Sequence, residues 1–171
     1  FLRPSEFAQD RTTDFPVFEH ALKWLEEIEG YKPEIVVQLR PTSPIRPVDM
    51  VDGSVSILMQ HPEADSVRGV VPAAQNPHKM WRFNGHDRPM NSLLTVEGIA
   101  EPYNAPRQIL PPVYWQTGHI DAIRALTITA KQSMTGNVVY PLVPEEILLV
   151  IADAARTWGS YPLTWIKEEL A

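Results

Sequence analysis

The distribution of proline is the feature that most limits what this chain can fold into. Seventeen of the 171 residues are proline, and each fixes φ and removes a backbone hydrogen-bond donor. Seven of them lie between Pro72 and Pro112. We therefore expect an irregular insert over about residues 73–113, with the longer elements confined to the segments on either side.

Those flanking segments alternate between helical and extended patterns. Apolar residues recur at helical spacing from Phe18 to Ile28, which predicts a helix over about residues 14–29, with Asp14 as its cap and Gly30 at its end. Residues 34–39 are nearly all apolar and predict a strand buried on both faces of a parallel sheet. Further strands are expected at 66–71, 114–120, 137–143 and 147–151, and further helices at 48–59 and 123–129. The pattern predicts a single α/β domain over residues 1–171, with a three-layer, mostly parallel, Rossmann-like sheet.

Composition excludes several classes of protein. There is no cysteine, so neither a disulfide framework nor a thiolate site is possible. No apolar run approaches the roughly 20 residues that span a bilayer. A net charge of -6 argues against nucleic acid as the main partner, because phosphate binding needs a basic surface. We expect a cytoplasmic protein with no membrane partner, in which a local basic pocket could still bind a small anion.

The segment 38–46 follows the most strongly predicted strand, at the edge where open α/β sheets bind ligands. Arg40 and Arg46 carry forked donors suited to carboxylate or phosphate, and Thr42 and Ser43 add hydroxyl groups. A purely structural interpretation is compatible with this one. In it, Ser43 caps the next helix and the prolines stiffen the turn.

Four segments in order resemble the acylneuraminate cytidylyltransferases, also called CMP-sialic acid synthetases. Leu39–Arg46 is similar to that family's Leu-Gln-Pro-Thr-Ser-Pro-Leu-Arg motif, and Pro106–Pro111 to its Pro-Arg-Gln-x-Leu-Pro. Gln116–Asp121 resembles its Asn-Gly-x-Ile-Tyr strand. Leu2–Asp10 resembles the segment that precedes the family's first C-terminal helix. The resemblance implies a sheet of the nucleotide-diphospho-sugar transferase type. No Gly-rich phosphate loop occurs in this sequence, so we expect the chain to lack the N-terminal nucleotide-binding part and to have little activity alone.

The resemblance also implies which residues contact the sugar acid. They are Arg40, Thr42, Ser43 and Arg46 of the first motif, Lys79, Arg107 and Gln108 of a dimerisation insert, and Thr117 and Gly118 of the later strand. The resemblance implies that Lys79 and Arg107 approach the carboxylate of the sugar bound in the partner subunit. Arg40 stands where the family has a glutamine, which leaves the identity of the sugar acid open. From the residues alone, His119 with Asp121 is a further hypothesis for a general base and its orienting partner.

A magnesium site is implied near the C-terminus, where the family has an Asp-Ile-Asp motif. Asp153 matches the second aspartate, but Ile151 stands in place of the first. Mg²⁺ prefers several oxygen ligands, so a site with one carboxylate is incomplete.

The reaction implied by the resemblance is attack of a sugar acid hydroxyl on the α-phosphate of CTP, giving the CMP-sugar and pyrophosphate in a homodimeric enzyme. Two alternatives remain open. The chain could be a non-catalytic dimerisation or binding module derived from this fold, or it could serve another sugar acid or nucleotide.

Overall fold

The computed structural model describes residues 2–43 and 46–144. It divides into two compact units, one formed by Phe1–Val70 with Gln116–Ala171 and the other by Val71–Trp115. The insert expected over about residues 73–113 falls inside the second unit. The strand expected at residues 147–151 lies outside the described residues.

The described elements follow the alternation expected from the sequence. The strands are β1 (Ile35–Gln38), β2 (Ser66–Pro72), β3 (Trp81–Arg82), β4 (Asn91–Ser92), β5 (Tyr114–Arg124) and β6 (Val139–Leu142). The helices are α1 (Asp14–Glu29), α2 (Met50–Gln60) and α3 (Ala125–Thr129), with short 3-10 helices at Ser5–Ala8, Pro77–Lys79 and Arg107–Ile109.

A four-stranded sheet in the order β1-β5-β2-β6 organises the first unit. β1 pairs antiparallel with β5, with Val36 opposite Ile123. β2 pairs in parallel with β6, with Ser66 opposite Val139. The fold of the described residues is therefore mixed α/β. The prediction of a mostly parallel sheet is met by the β2–β6 pair and not by the β1–β5 pair.

Helix α1 confirms the first predicted helix and ends at Gly30, whose positive φ of 65° suits a residue without a side chain. Asp14 is its first helical residue, and the capping position belongs to Thr13. The prediction that Asp14 caps α1 is therefore wrong. Its carboxylate instead accepts a hydrogen bond from Gln38 Nε2 at 2.8 Å, which ties the start of α1 to the end of β1.

Two other elements differ from the predictions in position or burial. All four residues of β1 are only half-buried, because β1 lies at one end of the described strand order. α3 begins at Ala125 and not at Ile123, since Ile123 is still paired with Val36 in the sheet.

The core of the first unit consists of two apolar clusters. One contains Leu58, Ala64, Val67 and Ala122, and the other contains Leu22, Ile123 and Ile128. α2 packs near β6 at Gly53, where a Cβ would lie at an ordinary van der Waals distance of 3.7 Å from Leu142 Cδ1. The packing therefore does not require glycine at this helical position, where it lowers helix propensity.

Asp65 joins the start of β2 to the connection between α3 and β6. Its carboxylate accepts hydrogen bonds from Lys131 Nζ at 2.5 Å and from the backbone N–H groups of Asn137 and Val138 at 2.7 and 3.2 Å. These donors, Lys131 foremost, lower the pKa of Asp65 from 3.8 to about 2 despite its burial. A Cβ at Gly136 would overlap the Asp65 side chain, so this connection requires glycine there.

Arg124 closes the end of α2. Its guanidinium donates hydrogen bonds to three backbone carbonyl groups. One is that of Leu58, another is that of His61 at 3.1 Å, and the third is that of Ala64 at 2.8 Å. Terminal carbonyl groups of a helix have no partner within the helix, and this arginine satisfies that of Leu58, whereas His61 O also accepts from the Ala64 backbone N–H at 3.0 Å.

The second unit is built mainly from turns and short elements, as its prolines predict. β3 and β4 form a two-stranded antiparallel pair with Trp81 opposite Ser92. The Trp81 ring packs on Tyr103 with centroids 4.5 Å apart. Ala105 and Leu110 are buried, while several larger apolar side chains are not.

Candidate functional site

The connection between β1 and α2 carries the first predicted motif. Arg46 Nε donates to the backbone carbonyl group of His119 at 2.9 Å, and Arg46 Nη2 donates to that of Arg40. These bonds fasten the connection to β5. The Arg46 guanidinium is therefore committed to backbone acceptors, and its role in this structure is to position Arg40.

The hydroxyl groups of this connection have different surroundings. Thr42 is exposed, whereas Ser43 is buried and its backbone N–H donates to Arg40 O at 3.1 Å. The prediction that Ser43 caps the following helix is wrong, because α2 begins at Met50 with Asp49 at the capping position. Helix α2 thus begins beyond the end of the Leu39–Arg46 motif.

Arg40 lies between two carboxylates. Its Nη2 atom is 3.3 Å from Asp14 Oδ2 and 3.6 Å from Asp121 Oδ2. Gly118 lies beside the arginine, and a Cβ there would lie at an ordinary contact distance of 3.4 Å from Arg40 Cδ. Its positive φ of 72° favours glycine, so this predicted sugar-binding position has a backbone role.

A second arginine approaches the same buried carboxylate. Arg68 Nε is 3.9 Å from Asp121 Oδ1, and Arg68 Nη1 donates to Gln116 Oε1 at 2.6 Å. We call Asp14, Arg40, Arg68 and Asp121 the charge cluster. It contains two positive and two negative side chains, so its formal charges balance.

Sequence reasoning missed Asp14 and Arg68 as members of this cluster. The available signal was the presence of Arg68 and Asp121 within otherwise apolar strands, because buried charges are found paired. That rule predicts that partners exist, but it cannot identify them before the strand order is known. β2 and β5 are far apart in sequence and adjacent in the sheet.

The other predicted residues of β5 are held by the sheet. Thr117 Oγ1 donates to Gly69 O at 3.1 Å. His119 and Asp121 are each only 1% exposed. Both side chains of the hypothesised base and its partner are therefore buried in the described part of the chain.

The second unit contains a cavity of about 440 Å³. Its lining residues are Pro72, Ala73, Ala74, Asn76, Arg107, Gln108, Leu110, Pro111, Pro112, Val113 and Tyr114. Arg107 is the one charged residue of this lining, and no acidic residue is part of it. Arg107 is exposed at the start of a 3-10 helix, and none of the described residues forms a hydrogen bond or ion pair with its guanidinium.

Lys79, which was predicted to act with Arg107, has a different environment. Its Nζ atom donates to the carbonyl groups of Ala105 at 2.6 Å and Tyr103 at 3.4 Å. The ammonium group thereby stabilises the segment that precedes Arg107. Lys79 does not line the cavity.

The predicted magnesium site has no counterpart among the described residues. Asp153, the predicted magnesium ligand, lies outside the described residues. Within residues 2–43 and 46–144, no three His, Asp or Glu side chains are arranged to hold a metal ion. Glu63 and Tyr140 share a 2.6 Å hydrogen bond, which lowers the pKa of Glu63 and raises that of Tyr140, but the pair offers only one carboxylate. Residues 2–43 and 46–144 therefore do not form a magnesium site by themselves.

Comparisons with known proteins leave the family of this chain open. No protein-family model matches it, and no curated protein matches it significantly. Of the helices in the described part of the chain, none has the length and apolarity required to cross a membrane.

Proposed function

We propose that this chain is the sugar-acid-binding part of a nucleotidyltransferase that joins CTP to sialic acid or a related nonulosonic acid. The observation that carries the proposal is the cavity lined by Arg107, because its lining contains no acid and one cation that has no hydrogen bond or ion pair with the described residues. Carboxylate and phosphate are the groups that such a fork of donors binds in a bidentate manner, and a sugar acid supplies a carboxylate. Gln108 and Asn76 add amide groups suited to hydroxyl groups of a sugar.

Two residues depart from the resembled motifs. Arg40 stands in place of a glutamine and Asp121 in place of a tyrosine, and Arg40 Nη2 lies 3.6 Å from Asp121 Oδ2. The two replacements carry opposite charges, which attract each other at this distance. We further propose that the mixed sheet belongs to a three-layer, Rossmann-like fold of the nucleotide-diphospho-sugar transferase type, in a cytoplasmic enzyme.

Calorimetric titration with N-acetylneuraminic acid and with its methyl ester tests the proposal. We expect the wild-type chain to prefer the acid, because only the acid presents a carboxylate to Arg107. Arg107→Gln should weaken binding of the acid by roughly tenfold to a hundredfold, as expected for loss of a charge-assisted hydrogen bond. It should leave binding of the ester nearly unchanged.

Arg88→Gln is the matched control, since Arg88 is an exposed arginine of the same unit that does not line the cavity. This variant should bind like the wild type. Equal affinity of the wild type for acid and ester, or equal losses in both arginine variants, would refute the role of Arg107.

A second candidate function is a dimerisation module, and exposed apolar side chains of the second unit favour it. These include Met80, Trp81, Phe83, Met90, Leu93, Leu94 and Ile109, exposed by 38 to 63%. Such residues mark interaction surfaces when they occur together. We propose a second copy of this chain as the partner, as the resemblance implies, and the two functions are compatible.

Light scattering over a range of protein concentrations tests this second proposal. We expect a dimer that Phe83→Ser weakens, while Val48→Ser, at a 95% exposed position of the first unit, leaves it unchanged. A wild-type chain that stays monomeric at all concentrations would exclude self-association.

A further inference from the structure

The two carboxylates beside Arg40 differ sharply in exposure. The side chain of Asp121 is 1% exposed, whereas that of Asp14 is 48% exposed. The Arg40 side chain is itself 40% exposed. One partner of the arginine therefore lies inside the fold, and the other lies at the surface where a dissolved anion could compete with it.

Asp121 is held in place from several directions. It belongs to β5, Gln116 Nε2 lies 3.4 and 3.5 Å from its two oxygens, and Arg68 approaches from β2. Separating a buried carboxylate from its cations leaves an uncompensated charge in a poorly solvated place. Asp121 is thus a fixed neighbour of Arg40.

Asp14 Oδ2 is nearer to Arg40 Nη2 than Asp121 Oδ2 is, but the Asp14 side chain is exposed. A single oxygen, Oδ2, serves both Arg40 Nη2 at 3.3 Å and Gln38 Nε2 at 2.8 Å. Exposed ion pairs contribute little because water and salt compete for both groups. The Arg40–Asp14 pair can therefore be exchanged for another anion without unfolding the surroundings.

Arg40 also has a donor that Asp14 does not use. The Nε atom is buried and has no hydrogen-bond partner among the described residues. Nε and a terminal nitrogen of a guanidinium form a planar fork that matches the two oxygens of a carboxylate or phosphate. Nε has almost no accessible surface, so an anion at Nη2 gains this second hydrogen bond only when the Arg40 side chain turns toward it.

We propose that Asp14 is a built-in competitor at an anion site on Arg40. An incoming carboxylate or phosphate oxygen replaces Asp14 Oδ2 at Nη2, while Asp121 stays and holds the guanidinium. This deepens the proposed function and rests on it for the natural anion, which would be a nucleotide phosphate, because the proposed function assigns the sugar carboxylate to Arg107. The exchange itself depends only on the charge cluster.

The test is a double-mutant cycle between Asp14→Asn and Arg40→Gln, measured by calorimetry at fixed ionic strength. The probes are N-acetylneuraminic acid and inorganic phosphate. We expect Asp14→Asn to tighten binding of at least one probe by about two- to fivefold, the range expected for removal of an exposed ion pair. In the Arg40→Gln background the same substitution should give no gain.

Asp10→Asn is the matched control, because it removes one negative charge from an exposed residue near α1 whose side chain forms no hydrogen bond or ion pair with the other described residues. It should bind like the wild type. An Asp14→Asn variant that binds both probes like the wild type overturns the proposal. An equal gain with and without Arg40 also overturns it, because the effect would then be one of general charge.

The Arg40 Nε–H resonance provides a measurement that does not depend on the Arg40→Gln variant folding. It should shift on titration of the wild-type chain, at lower probe concentrations in Asp14→Asn, and an unmoved resonance contradicts the proposal. If phosphate binds through Arg40 but the sugar acid does not bind, the proposed function fails and the anion site stands. If the sugar acid binds through Arg107 and Asp14→Asn changes the affinity for neither probe, the proposed function stands and the anion site on Arg40 fails. If neither probe binds, the proposed function and the anion site both fail.

Discussion

Single side chains in this molecule are used for two different purposes. Arg46, Lys79 and Arg124 donate to backbone carbonyl groups and fasten connections together. Arg107 has no such acceptor among the described residues, and Arg40 keeps one exchangeable partner. Sequence reasoning grouped several of these cations as ligand-binding residues. It could not separate them, because a residue type indicates what a group can bind but not which acceptor lies nearby.

The Asp65 carboxylate gives a prediction of pH dependence. Its pKa is lowered from 3.8 to about 2 in the folded protein, so its stabilising contribution is complete above about pH 4 and is lost as the pH falls through about 2. At neutral pH, Asp65→Asn should lower the free energy of unfolding by about 2 kcal/mol. The gap between wild type and variant should close in acid.

Urea unfolding at several pH values measures this gap. Asp10→Asn serves as the control, since the exposed Asp10 side chain forms no hydrogen bond or ion pair with the other described residues and should give no pH-dependent gap. A difference between wild type and Asp65→Asn that stays constant from neutral to acidic pH would contradict the account of Asp65.

At the scale of elements, the longer helices and strands could be predicted well. The apolar spacing of α1, the β-branched run of β1 and the start of β2 at Ser66 are local signals that each segment carries by itself. Burial and strand direction could not be predicted in the same way. β1 is half-buried and antiparallel to β5 because of its place in the sheet, which is a property of the whole strand order.

The helix ends show the same limit on a smaller scale. Gly30 ends α1 as predicted, since a left-handed residue is a local requirement. Asp14 does not cap α1, because Gln38 and Arg40, which are remote in sequence, bind its carboxylate. A local preference was overridden by tertiary contacts.

For the whole molecule, the sequence predicted the division between regular and irregular parts. The proline-rich segment expected over about residues 73–113 falls inside the unit Val71–Trp115, whose described elements are short. The candidate site was predicted only in part. Arg107 and Gln108 were named from a motif, whereas the cavity that they line and the charge cluster around Arg40 depend on the folded chain.

The central claim is that the Arg107 cavity binds a sugar acid, and mapping by nitrogen–proton correlation spectra tests it most directly. On titration with N-acetylneuraminic acid, we predict saturable shifts of the Arg107 Nε–H and Gln108 amide resonances, while the Arg88 side chain stays unmoved. Unchanged Arg107 and Gln108 resonances at saturating sugar acid would contradict the account.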